Sequence, residues 1–290
     1  MKLILTNKKG QTLDLLNNAD KFVLITAEGL HGVETDISET ESPYLDGVNI
    51  ESVKALARGI ELTFKLVGEV KESIDFFTNV VKSKQIIQLT EIADDKEIFI
   101  EGVATIPPYS RMQAFCEITL SIYCGQPYWQ DVQRLVGIIS SVLDLLNFPS
   151  EGQFFTPNGR PFGVIDNTSL EKTFVNEGDT AVGMIININA RGEVVEPRIS
   201  CSSGEQDGWF IQVNLTLQQG DELVINTNKG QKTITINGLD TYNGQPILNY
   251  LEFRGKDWLQ LEVGENTFNI VASSGADLAY FNIEYRRKYE

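Results

Sequence analysis

Apolar residues recur at every second position along most of this chain. That spacing belongs to the half-buried β-strand, whose successive side chains point to opposite faces. Ile60, Leu62, Phe64 and Leu66 alternate with Glu61, Thr63 and Lys65. Ala114, Cys116, Ile118, Leu120, Ile122 and Cys124 make one face of a longer predicted strand, and Glu117, Thr119, Ser121 and Tyr123 make the other. Leu3 and Leu5, then Leu13 and Leu15, flank the turn residues Asn7 to Gly10 as an opening hairpin. Phe22 to Thr26 is a short strand, and a second hairpin joins Ile86–Ile92 to Glu97–Ile106. Helical spacing appears in two places only. Val70, Ile74, Phe77 and Val81 recur at intervals of 4, 3 and 4, and so do Leu135, Ile139, Val142 and Leu146, with Pro149 as a stop. The expected class is mostly β with two short helices, a β-rich α+β chain.

At about 150 residues per domain, 290 residues favour two domains. The long strand ends at Gly125-Gln126-Pro127-Tyr128-Trp129-Gln130, and residues 147–175 are rich in Pro, Gly, Asn, Ser and Thr, as a connecting arm would be. From about Gly178 onward the pattern is purely β. Strands are expected at Val182–Ile188, Asp221–Thr227, Gln231–Asn237, Leu259–Val263, Thr267–Ala272 and Leu278–Tyr285, with turn pairs Asn237-Gly238 and Asn243-Gly244. Short strands at such spacing suggest a β-sandwich. The expected division is 1–130, a β domain with one helix; 131–175, a helix and connecting arm; and 176–290, the sandwich.

Charge narrows the function. Forty acidic against 24 basic residues give a net charge of −16, which argues against tight binding of nucleic acid or an anionic membrane. Both parts are acidic: residues 1–130 carry 12 basic and 19 acidic groups, and residues 131–290 carry 12 and 21. Between Lys21 and Lys54 lie Glu28, Glu34, Asp36, Glu39, Glu41, Asp46 and Glu51 with no Lys or Arg. This stretch has weak periodicity and is expected to be a long acidic loop or arm. No apolar run is long enough to span a membrane, and the start reaches Lys8 and Lys9 too early for a secretory signal, so folding in a reducing cytosol is expected.

Catalytic chemistry finds little support. No phosphate-binding loop occurs. The only histidine is His31, so two His ligands within one subunit are impossible. The three cysteines, Cys116, Cys124 and Cys201, include no CxxC, and Cys116 and Cys124 lie too far apart on one straight strand to pair. Asp94-Asp95 and Asp221-Glu222 sit at turns and strand starts, where acids are ordinary. The acids at 34–41 lack the spacing of a calcium loop. No enzyme activity, cofactor or metal is expected. Trp209, Tyr242 and Trp258 fall in the β-rich part, as core, as an interface, or as an exposed platform for attachment or for sugar rings. A hydrolase would need two converging carboxylates, which sequence does not place.

Three stretches together carry a resemblance. They are Asp46-Gly47 with Arg58-Gly59-Ile60-Glu61-Leu62, Phe64 to Gly68 and the Val70–Val81 helix; Met112–Cys124 running into Pro127-Tyr128-Trp129; and a closing series. That series is Asn176-Glu177-Gly178-Asp179, Glu196-Pro197-Arg198-Ile199, Gly220-Asp221-Glu222-Leu223, Val263-Gly264-Glu265-Asn266 and Tyr285-Arg286-Arg287. In this order over the whole chain, they resemble the distal tail proteins of long-tailed siphophages and prophages of Gram-positive bacteria. The resemblance implies a ring-forming N-terminal domain and a peripheral sandwich similar to galectins or carbohydrate-binding modules. It implies six copies in a ring at the virion tail tip, assembled in the host cytoplasm. One face would meet the tail tube protein and the other the baseplate hub protein, with the outer domains holding receptor-binding proteins. The ring contacts are expected at Glu34, Asp36, Glu39, Glu41, Tyr44 and Arg58, with Arg58 forked onto a neighbour's carboxylate. The alternative is a carbohydrate-binding module built on Trp209, Tyr242 and Trp258.

Overall fold

The computed structural model describes residues 1–42, 46–94, 96–106, 117–139, 142–144, 163–165 and 170–290. These fall into two compact units, Met1–Val132 with Lys288–Glu290, and Gln133–Arg287.

The first unit is built on an antiparallel sheet. Its strands run in the order Thr12–Asp14, Lys2–Asn7, Ile86–Ala93, Lys96–Thr105, Glu117–Cys124, Arg58–Leu66 and Phe22–Glu28. The short strand Trp129–Asp131 joins Lys96–Thr105 and pairs in turn with Lys288–Tyr289. The alternation seen in the sequence becomes a buried face: Ile60, Leu62, Phe64, Leu66, Ile118, Leu120, Ile122 and Cys124 all lie in one cluster. Ala114 and Cys116, expected on the same strand face, lie outside the described residues. The first predicted helix forms at Val70–Val80 and drops Ile74 and Phe77 onto that face. Phe77 meets Phe64 and Phe22 with ring centroids 5.2 and 5.9 Å apart. Offset and edge-on rings of this kind add to simple area burial.

The second unit has two five-stranded antiparallel sheets. One runs Leu135–Ile139, Ala279–Tyr285, Met184–Ala190, Glu222–Asn226, Thr233–Ile236. The other runs Glu171–Asn176, Gly264–Val271, Arg198–Cys201, Phe210–Val213, Leu251–Arg254. The buried residues of both sheets form one cluster, including Ile186, Ile188, Phe281 and Ile283 from the first and Ile199, Ile211 and Phe268 from the second.

Three expectations are corrected. The second helix does not form, and Val70–Val80 is the one α-helix among the described residues. Leu135–Ile139 is instead an edge strand paired with Ala279–Tyr285, and Val142–Asp144 pairs with Gly163–Ile165. Leu146, the last residue of the predicted stripe, lies outside the described residues. A spacing of four suits a strand as well as a helix, since four is twice the strand period. The arbiters are Val136, Ile138 and Ile139, which favour strands, and Gly137, which disfavours a helix interior. Gly137 has a second reason: a Cβ there would lie 2.0 Å from the ring of Phe174.

Secondly, Leu259–Val263 is not a strand. Leu259 and Leu261 are buried, but only Val182 bridges Leu261. Side chains replace the missing partner strand. Asn176 Nδ2 donates to the Leu261 carbonyl, Gln206 Oε1 accepts from the Gln260 amide at 3.0 Å, and Asn266 Oδ1 accepts from the Glu262 amide at 2.8 Å. Buried backbone polar groups need such partners, and here amide side chains provide them. Thirdly, the acidic arm is not a loop.

Candidate assembly interface

The stretch from Thr35 to Ala55 is a β-hairpin of Thr35–Glu41 and Val48–Ala55 that pairs with no other strand among the described residues. Of its strand residues only Ala55 is even partly buried. The weak periodicity has a specific cause. Val48 and Ile50 sit at even positions and Val53 and Ala55 at odd ones, so a regular strand would split them between two faces. A bulge intervenes: Ser38 faces Ser52, and its neighbour Glu39 faces Ile50, leaving Glu51 extra. The bulge gathers Ile37, Val48, Ile50, Val53 and Ala55 onto one face, with Glu39 and Glu41 beside them. Asp36 pairs with Lys54 on the opposite face together with Ser38, Thr40, Asn49 and Ser52. Ile50 is 63% exposed and Val53 61%.

The hairpin therefore has the amphipathic pattern of a core strand without a core. A two-stranded hairpin alone is marginal in water. Four large aliphatic residues together on an exposed face make an apolar patch of the kind found at interaction surfaces.

The expected interface residues are thus divided. Glu39 and Glu41 lie on the apolar face, Asp36 lies on the polar face, and Glu34 precedes the hairpin, its carbonyl accepting from the Leu56 amide. Tyr44 lies outside the described residues. Arg58 is elsewhere in character. It is 5% exposed, which does not fit a guanidinium held out to a neighbouring subunit. Its Nη1 donates to the Leu30 carbonyl at 2.6 Å, and Trp129 Nε1 donates to the same oxygen at 2.7 Å. Burial lowers the pKa of Arg58, opposed by the negative charge that Cys124 would carry as a thiolate and by Glu290. Burial also pushes the Cys124 thiol up to about 11, so it is a poor nucleophile. Next to this carbonyl, Gly29 (φ +75) lies so near the chain at Gly59 that a Cβ would meet the Gly59 oxygen at 2.1 Å. Arg58, Trp129, Gly29 and Gly59 thus fix the segment that leads into the hairpin. Trp129 and Gly29 had no sequence signal, because their partner is a backbone oxygen.

A second exposed apolar surface crosses the sheet of the same unit. Ile86 stands opposite Val103, and Val103 opposite Tyr123, in adjacent strands. All three are exposed, Tyr123 at 63%.

The aromatic platform does not assemble. Trp258 is 7% exposed and part of the core. Trp209 packs against the same core, and its ring lies where a Cβ on Gly255 would be, at 2.5 Å. Tyr242 packs edge-on against Tyr250, and its hydroxyl donates to the Thr216 carbonyl at 3.4 Å. A sandwich this size needs large residues inside, and these aromatics fill that need. No group of acids, histidines or cysteines among the described residues is placed to hold a metal ion.

Residues 177–289 match the family described as siphovirus-type tail component, C-terminal domain. That match covers most of the second unit and agrees with the resemblance read from the sequence. The chain also matches the crystal structure of the Dit protein of phage SPP1, described as a paradigm of the hub adsorption apparatus of phages infecting Gram-positive bacteria. That match covers 99% of both chains with a TM-score of 0.64 and 15% identity, and it shows a common fold over both units. The baseplate of phage P2 in its activated, calcium-bound conformation matches more distantly, at 12% identity and TM-score 0.47, over 100% of this chain and 98% of that one. No curated protein matches the chain by sequence. These relatives are virion tail and baseplate components, and no helix among the described residues is long and apolar enough to cross a membrane.

Proposed function

We propose that this protein is a structural, non-enzymatic component of the tail tip of a siphophage or prophage of a Gram-positive host. Six copies form a ring that joins the tail tube to the baseplate hub. The part up to about residue 130 makes the ring, and the galectin-like remainder, with Leu135–Ile139 and Glu171–Asn176 among its strands, faces outward to hold receptor-binding proteins. The observation that carries this reading is the hairpin: an ordered, amphipathic arm whose apolar face is bare in one copy. Its natural occupant site is a second copy, and the Ile86–Val103–Tyr123 row is the acceptor of matching character. A contact between different patches on two identical chains propagates around an axis and closes into a ring when the rotation allows. Covering four half-exposed aliphatic residues stabilises each contact by roughly 1 kcal/mol per side chain. Glu39 and Glu41 beside the apolar residues set its register by their charge. A ring also multiplies the net charge of −16 sixfold, and acids along its bore would repel DNA phosphates and let DNA pass.

The test is the mass of the protein by sedimentation across concentrations, beside Ile50→Asp. The wild type rises towards six subunits, and the variant stays monomeric with the thermal midpoint that the wild type has at concentrations where it too is monomeric. Equal masses for both at every concentration would remove the hairpin from assembly.

A further inference from the structure

The outer face of the sheet formed by Leu135–Ile139, Ala279–Tyr285, Met184–Ala190, Glu222–Asn226 and Thr233–Ile236 is unlike an ordinary solvated sheet face. In strand Met184–Ala190 the even residues are buried and Ile185, Asn187 and Asn189 point out. Asn187 stands directly opposite Asn282, Asn189 opposite Tyr280, and Ile185 opposite Glu284. Three asparagines therefore occupy the interiors of two adjacent central strands on one face. Asparagine is depleted in strands, where threonine or valine would fold better. Residues that oppose their own local structure are the expected trace of a binding role.

The side chains are also organised. Glu284 Oε1 accepts from Asn187 Nδ2 at 3.3 Å and from Asn282 Nδ2 at 3.4 Å, while its Oε2 accepts from Arg134 Nη1 at 3.0 Å. One carboxylate, balanced by one guanidinium, holds two amides in place. Asn282 Oδ1 is buried and has no hydrogen-bond partner. Tyr280 lies beside this group with the Arg191 guanidinium 5.5 Å from its ring centroid. Along the edge, Val136 opposes Glu284 and Ile138 opposes Asn282, both exposed. The face thus carries half-buried amide side chains gathered around Glu284, an aromatic ring and a small apolar margin.

We propose that this face binds a neutral glycan. A pyranose presents hydroxyls that both donate and accept along its edge, and C–H groups on its faces. Amides and a charge-balanced carboxylate match the former, and Tyr280, Val136 and Ile138 the latter. Residues 131–290 carry 12 basic against 21 acidic groups, and that excess of negative charge disfavours an anionic polymer. The proposal does not depend on ring assembly.

The test is saturation-transfer NMR on the full chain with four neutral hexasaccharides, of glucose, galactose, rhamnose and N-acetylglucosamine, at about 10 mM. Polyglycerol phosphate serves as the anionic comparison. At least one neutral sugar gives transfer, and Asn187→Thr with Asn282→Thr weakens it by about tenfold or more. The same double variant keeps or raises the thermal midpoint, because threonine suits a strand better, so lost binding is not lost folding. No transfer from any neutral sugar, transfer from polyglycerol phosphate alone, or undiminished binding by the variant would each overturn the proposal. A change in oligomeric mass in the double variant without sugar binding would overturn it in favour of a protein contact at this face.

Discussion

Two strands of this protein have nearly the same pattern and opposite fates. Met184–Ala190 alternates apolar and polar residues, and its apolar set, Met184, Ile186, Ile188 and Ala190, is buried under a second sheet. Val48–Ala55 also offers an apolar face, sharpened by a bulge, and that face stays in water. The first strand is stabilised by its own chain. Among the described residues the second has only its hairpin partner, and the proposed ring would supply the cover that it lacks. Amphipathicity in a strand states that a face will be covered and leaves open by what.

The comparison can be broken most severely in the core. Phe281 is fully buried, and Phe281→Ala should lower unfolding free energy by about 3–5 kcal/mol in denaturant titration. Ile50→Ala, the nominally similar truncation on the hairpin, should change monomer stability by no more than about 0.5 kcal/mol. If the two effects were alike, the hairpin would be a core element after all. Gly137→Ala sharpens the same contrast at an edge strand. The added methyl collides with Phe174, and a loss of about 1–3 kcal/mol is expected in the same measurement.

The smallest effect is electrostatic. Hydrogen bonding from Lys232, assisted by the Trp258 amide, holds Asp257 below the usual carboxylate range. A carboxylate with a depressed pKa contributes stability above its unfolded value, near 4, and loses it as pH falls through the folded value. Both side chains are partly exposed, so Lys232→Met should cost only a few tenths of a kcal/mol at pH 7. That difference should vanish near pH 2, and a constant difference from pH 7 to 2 would place the effect in packing rather than charge.

The sequence was most legible where one rule acted alone. Alternation at Ile60–Leu66 and Ile118–Cys124 gave strands with the correct buried face, and the stripe at Val70–Val81 gave the helix. It misled where two periods coincide, as at Leu135 and Ile139, and where a bulge shifts parity, as at Glu51. The site was half legible. The acids of residues 34–41 marked a segment that proves to be an exposed hairpin, but their partition between two faces depended on the bulge. Arg58 and Trp258 looked like contact residues and proved to be buried, since charge and aromaticity alone do not state depth.

By itself the sequence determined the β-rich class, the acidic charge and several turns, Asn237-Gly238 and Asn243-Gly244 among them, because local spacing and turn chemistry are properties of neighbours in the chain. Only the tertiary structure decided which faces meet. Asn187 and Asn282 are 95 positions apart and stand side by side through strand register, and Arg58 and Trp129 meet on one carbonyl oxygen. Such pairs are set by long-range hydrogen bonding and packing, which leave no periodic trace along the chain.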